Sequence, residues 1–236
     1  SAPRGPTFDA FVTAYLGTAD RARERGLGVI VDLVDNVFAT DRGDFFAGLL
    51  ARANAVTVAS TALAAVCAQH TQVPIHVVAD PVEGERRPPG FDPPRAPLLS
   101  RLGLGRTAAR PLRVLWFGGQ YRNFLDLAAL FPALADLAAA QPIDLVVIMS
   151  RDDRIARALD SLHGRPGSLT ARFVEWSLAA LSDELERCDL VLLPSDLQDG
   201  MRAVASPNRL ARSLWAGRAV FAHPLPSYLE FRDAAL

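Results

Sequence analysis

Lysine is missing altogether: all 25 cationic side chains in the 236 residues are arginine, set against 26 carboxylates. Such a chain has no Schiff-base lysine and no lysine phosphate clamp, so guanidinium groups or the backbone must hold any anion. An arginine-only set of this kind suggests a GC-rich, bacterial-like genome. The net charge of −1 removes the electrostatic ground for a nucleic acid or another polyanion as partner. Cysteine is scarce as well. Cys67 and Cys188 follow helical patterns and read as buried free thiols, which fits a reducing, cytoplasmic compartment. His70, His76, His163 and His223 show no H-x-x-x-H spacing and the cysteines no C-x-x-C, so no metal or other cofactor is expected. No apolar run reaches the roughly 20 residues of a membrane span, and residues 1–6 lack the apolar core of a signal peptide. A soluble protein is expected, with peripheral association at a membrane surface left open.

What the chain does have is alternation. Residues 190–193 are four apolar residues before Pro194, a strand buried on both faces as inside a parallel sheet. After a polar loop, Ser206 reads as a helix N-cap with Pro207 at the first helical position, and Gly217 ends the helix. Residues 219–222 form the next strand. The helix start thus falls at the carboxyl edge of a parallel sheet, where unpaired N–H groups, the helix dipole and the guanidinium of Arg209 suit a phosphate or diphosphate. The alternative is an ordinary helix start with a solvated arginine.

Helix and strand also alternate before residue 80. A helix over 8–25 is followed by a buried strand that runs out into a polar turn over 29–36, a short helix at 45–53, a strand at 55–59, a helix from Ser60 or Thr61 to 69, and a strand at 75–78. Asp32, Asp35 and Asn36 lie at or beyond the carboxyl end of the first strand, as turn formers or as an acceptor-binding general base. Residues 81–110 are crowded with proline, cannot sit inside a sheet and read as an interdomain linker, with an apolar patch at 97–104. Alternation then restarts at Leu112. A strand at 112–117 meets Gly118 and Gly119, and a polar turn with Arg122 and Asn123 leads into a helix carrying Leu125, Leu127, Leu130 and Leu134. The glycine pair allows close approach of a phosphate but lacks the full G-x-G-x-x-G spacing. A strand at 144–149 ends at Ser150, Arg151 and Asp152. A shorter strand at 172–176 ends at Trp176, which reads as core or as a platform beside a nucleotide base; Trp116 and Trp215 fall in element interiors.

These residues together resemble the nucleotide-sugar-binding domain of a GT-B glycosyltransferase of the GT4-like group. The resemblance rests on Trp116 to Gly119, on Glu175, Trp176 and Ser177 followed by a helix into residues 188–195, and on residues 206–220 with 222–231; residues 80–83 and 31–36 resemble the exit from, and a cleft-facing strand end of, the N-terminal domain. It implies an α/β architecture of two Rossmann-like domains with parallel sheets: an N-terminal acceptor-side portion over 1–80, a linker over 81–110 and a C-terminal donor domain over 111–236. The N-terminal domain has fewer strands than the family pattern, and either missing segments or a reduced protein is expected.

The resemblance further implies transfer of a sugar, a hexose or a related one, from a nucleotide-diphosphate donor to a glycan, lipid-linked or protein acceptor without a metal. Arg209 becomes the main diphosphate clamp. Gly118, Gly119, Arg122, Asn123, Arg151, Trp176, Ser195, Ser206 and Asn208 are the other donor-side residues, and Asp32 or Asp35 is the acceptor base. Two positions depart from the family pattern: Arg212 stands where a ribose-binding Glu is usual, and Val204 where its acidic partner would fall. A second reading is therefore a catalytically degenerate binding or scaffold module in a glycan-assembly complex. A third, a sugar-nucleotide epimerase, would need acidic and histidine groups that the sequence does not supply.

Overall fold

The computed structural model describes residues 6–91, 110–119, 121–160, 162 and 169–233. The apolar patch at 97–104 lies outside them. Two parallel sheets form, one of three strands and one of five, each in its own compact unit.

The N-terminal unit contains α1 (Pro6–Glu24), β1 (Ile30–Leu33), α2 (Gly43–Leu50), β2 (Ala55–Val58), α3 (Thr61–Cys67) and β3 (Ile75–Val77). Its strands lie in the order β1-β2-β3, all parallel. Helices α2 and α3 pack on the buried residues of these strands. There Val31, Leu33, Leu50, Val56, Val58, Leu63 and Cys67 form the core. Ser60 caps α3 as its sequence position requires, its Oγ accepting from Leu63 N–H at 3.2 Å.

Two later segments complete this unit, Asp196–Pro207 and Pro224–Glu230. Val204 enters the same core, and Asn36 Nδ2 donates to Gly200 O at 2.9 Å. The short helix Pro226–Leu229 is anchored by Leu225 and Tyr228, both buried. Ser227 Oγ donates to Ala205 O at 2.6 Å. Glu230 accepts from Thr61 N–H and Oγ1 at 3.1 and 2.5 Å.

The C-terminal unit contains β4 (Leu112–Phe117), α4 (Tyr121–Ala128), α5 (Phe131–Ala138), β5 (Ile143–Met149), α6 (Asp153–Asp160), β6 (Leu169–Glu175), α7 (Leu178–Arg187), β7 (Leu190–Leu193), α8 (Asn208–Trp215) and β8 (Ala219–Ala222). The sheet order is β6-β5-β4-β7-β8, all parallel. The order reverses between β4 and β7, so the ligand crevice of such a sheet lies at their carboxyl ends. The strands at its centre are the continuous apolar runs of the sequence, buried on both faces.

Several elements differ from the sequence expectation. The leucine-rich helix after Gly119 is two helices, because Pro132 has no N–H to give to the preceding turn and starts α5 instead. Leu125 is consequently exposed, while Phe124 and Leu127 are the core residues of α4. Strand β6 begins at Leu169, three residues before the expected start, pairing with β5 throughout. Trp116 is fully buried, but Trp215 ends α8 and is 37% exposed. Residues 82–91, part of the expected linker, lie along the end of α8. Trp215 Nε1 donates to Gly84 O at 3.0 Å, Arg87 N–H to Trp215 O and Gly90 N–H to Gly217 O. Gly217 closes α8 at φ +71°, with Gly217 N–H bonded to Leu214 O and Arg218 N–H to Ser213 O, the Schellman arrangement that its position implies.

Candidate functional site

In the C-terminal unit the strand ends supply the geometry. Gly118 follows β4, and its N–H extends the ladder to Ile148 O at 3.1 Å. A Cβ at Gly118 would stand 2.8 Å from Trp116 Cη2. The buried indole therefore excludes any side chain at Gly118, which is itself buried. Gly119 is exposed with open space around it. Helix α4 starts at Tyr121, so Arg122 and Asn123, expected in a turn, occupy the first turn of a helix whose N-terminus follows the glycine pair.

Helix α8 begins at Asn208, two residues after Ser206. Arg209 in its first turn sends Nη1 to Phe117 O at 3.5 Å. This places a half-buried guanidinium at the carboxyl end of β4, beside Gly118. Ser195, buried after β7, donates its N–H to His223 Nδ1 at 3.0 Å, His223 following the neighbouring strand β8. Gly118, Gly119, Arg209 and the starts of α4 and α8 are thus gathered at the order reversal of the sheet.

Arg151 and Trp176 lie at the ends of β5 and β6. Trp176 N–H bonds Met149 O at 2.9 Å, and its ring is 52% exposed. It ends the strand two places from β4, about 10 Å at the usual strand spacing. Between the two stands a group that the sequence reading overlooked. Asp152 accepts from Arg154 Nη2 at 2.6 Å and from its Nε, and the Arg154 guanidinium lies 3.7 Å from the Tyr121 ring centroid. These hydrogen bonds from Arg154 hold the Asp152 carboxyl at about 2. Asp152 is legible in retrospect as the cap of α6, since Arg154 N–H bonds its side chain. The stack on Tyr121 is tertiary.

Arg212, in the place where a ribose-binding Glu is usual, is engaged by Glu83 and Ser182. Its Nη1 meets Glu83 Oε2 at 2.5 Å and its Nη2 meets Ser182 Oγ at 3.5 Å.

The remaining candidates belong to the N-terminal unit. Asp32 Oδ1 accepts from Thr57 Oγ1 on the adjacent strand at 2.5 Å. Asp35 follows β1, and burial, aided by the negative charge of Asp80, raises its pKa. Ser206, expected with the donor-side residues, donates from Oγ to Asp80 Oδ2 at 2.5 Å. No described helix is long and apolar enough to cross a membrane. Both cysteines are free and buried, one in each unit.

No protein-family model matches the sequence, and no curated protein is similar to it in sequence. Solved structures are similar in fold. The apo structure of OtsA superposes with a TM-score of 0.62 at 13% identity over 99% of this chain and 67% of that one. WaaG, a glycosyltransferase involved in lipopolysaccharide biosynthesis, superposes at 0.57 with 15% identity over 92% and 65%. The fold is GT-B. TarM superposes at 0.54 with 12% identity over 84% of this chain and 37% of its own. The GT-B chain described here spans about two thirds of OtsA and WaaG.

Proposed function

We propose that this protein transfers a sugar, a hexose or a related one, from a nucleotide-diphosphate donor held by its C-terminal unit. The observation that supports this most is Arg209 at the end of β4 beside Gly118, where the sheet order reverses. A leaving diphosphate there meets one guanidinium, the exposed backbone of Gly119 and two helix N-termini, which neutralise its charge without a metal. Trp176, half-exposed two strands away, is the candidate platform for the nucleotide base. The acceptor hydroxyl belongs to the N-terminal unit, whose carboxylates Asp32 and Asp35 are the candidate bases. Asp35, with its raised pKa, is the better matched to accept a proton near neutrality. A cytoplasmic setting, where buried thiols stay reduced, goes with this reading.

Titration with UDP- and GDP-hexoses, with and without Arg209→Ala, tests the proposal. Loss of one charge-assisted contact costs about ten- to hundredfold in affinity, and Arg209→Lys recovers the charge without the two-pronged geometry. Unchanged binding in Arg209→Ala moves the anion site elsewhere.

A degenerate binding or scaffold role is the second reading, favoured by Arg212 and Val204. The first is tied to Glu83 and the second is buried in the core of the N-terminal unit, so neither offers a carboxylate to a ribose. Binding of a donor with no hydrolysis or transfer in any acceptor mixture supports that reading.

A further inference from the structure

Tyr121 is the first residue of α4, two positions after Gly119, and Asp152 and Arg154 follow β5, the strand paired with β4. Their side chains build one stack on the core. The Arg154 guanidinium lies 3.7 Å from the Tyr121 ring centroid, and Tyr121 packs at 6.0 Å on Phe124. Phe124, 1% exposed, meets the buried Trp116 edge to face. Asp152 closes one edge of the guanidinium, its Oδ1 accepting from Nε at 3.0 Å and its Oδ2 from Nη2 at 2.6 Å. A surface arginine has many rotamers to lose, but this one is fixed by a ring beneath it and a carboxylate beside it. Its side chain is nevertheless 55% exposed. Since one face rests on Tyr121, the opposite face is the one turned to solvent.

We infer that Arg154 is a stacking platform for the nucleobase of the donor, additional to Trp176, with Tyr121 as its backing and Asp152 as its positioning residue. The inference rests on the donor-site reading above for the guest being a nucleotide. A guanidinium is flat, delocalised and weakly hydrated, and nucleobases stack on arginine planes as they do on aromatic rings. An anion is the poorer guest, because Asp152 already offsets the charge and stays ionised near neutrality, its carboxyl held at about 2 by the bonds from Arg154. A sugar ring has no π face to stack. The fixed plane also spares the bound state the cost of ordering a long side chain. Tyr121 and Arg154 follow β4 and β5, neighbours in the sheet, so the platform belongs to the same edge as Gly118, Gly119 and Arg209.

The test is calorimetric titration of the full chain with GDP, UDP and inorganic pyrophosphate, without any acceptor. Both nucleotides should bind at least about tenfold more tightly than pyrophosphate. Arg154→Ala should weaken both nucleotides about tenfold and leave pyrophosphate within about twofold. Arg154→Lys keeps the charge but loses the plane, and should behave like the alanine variant. Asp152→Asn should weaken the nucleotides about threefold with pyrophosphate unchanged, whereas a merely structural role would move all three ligands together. Unchanged nucleotide affinity in Arg154→Ala, full rescue by Arg154→Lys, or an equal loss for pyrophosphate overturns the inference. Arg209→Ala separates it from the anion site, since that variant should weaken pyrophosphate and nucleotides alike. If Arg209→Ala changes nothing while Arg154→Ala weakens the nucleotides alone, the platform stands and the anion site moves. If the parent binds pyrophosphate as tightly as GDP and UDP, the platform falls and the anion site stands. A parent that binds none of the three removes both.

Discussion

The hydroxyl of Ser206 donates to Asp80 Oδ2 at 2.5 Å across 126 residues of sequence, inside the N-terminal unit. Ser206 lies two residues before the helix that carries Arg209, and the negative charge of Asp80 acts on Asp35. The sequence reads Ser206 as a helix cap, whereas in the structure the helix starts at Asn208 and the Ser206 hydroxyl is held by Asp80 within the N-terminal unit.

Asp35 and Asp80 together give a pH dependence with a definite sign. The folded-state pKa of Asp35 is raised, first by burial and then by Asp80, so the fold favours its protonated form. The associated stability is present at low pH and is lost as pH rises through the raised pKa. Between about pH 3 and pH 6 the melting temperature of the parent should fall relative to Asp35→Asn. Asp80→Asn should move the Asp35 titration, followed by carboxyl carbon NMR, back toward the ordinary carboxylate range. A parallel pair of melting curves across that window refutes the assignment.

Gly217 and Gly26 separate two costs of a side chain. Both adopt positive φ, +71° and +72°. A Cβ at Gly217 would stand 2.2 Å from Pro88 O, whereas at Gly26 nothing lies within 4 Å. Gly26→Ala should destabilise by about 1 kcal/mol from backbone conformation alone. Gly217→Ala should cost about 2–4 kcal/mol, since residues 84–90 must also move. Urea unfolding of the two variants measures the difference.

Burial pushes the Cys188 thiol up to about 12 and raises that of Cys67 as well. Almost no thiolate is therefore present near neutrality, and the thiolate is the reactive form. Alkylation by iodoacetamide at about pH 8 should be slow in the folded protein and complete in denaturant, with both cysteines recovered. Rapid labelling of Cys188 under native conditions contradicts the packing described.

Arg212 should behave unlike Arg209. Its guanidinium is largely buried against Glu83 and Ser182, so Arg212→Ala should cost roughly 1–2 kcal/mol of stability. Its affinity for nucleotide diphosphates should stay within about twofold of the parent. A large loss of affinity with unchanged stability would return Arg212 to the anion site.

The sequence by itself determined the elements and the class of sheet. Apolar runs at 114–117 and 145–149 read as strands buried on both faces, and Ser60, Ser177 and Gly217 terminate helices through bonds to backbone groups within five residues. Alternation with helices then imposes parallel pairing, so the two sheets and the crevice at Gly118 were legible. The partners of the polar side chains were decided by tertiary structure. Ser206 with Asp80, Arg212 with Glu83 and Arg154 with Tyr121 join residues 126, 129 and 33 positions apart, and no local periodicity encodes such pairs. Val204 shows the same limit for an apolar residue. It stands in a polar loop between β7 and α8, yet packs into the core around Val56, because burial is set by which surfaces meet and not by neighbours in the chain. The cavity of the N-terminal unit lined by Phe11, Tyr15, Asp32, Arg42 and Phe45 is tertiary for the same reason: α1, α2 and β1 each carry part of its wall, and it exists only where they converge.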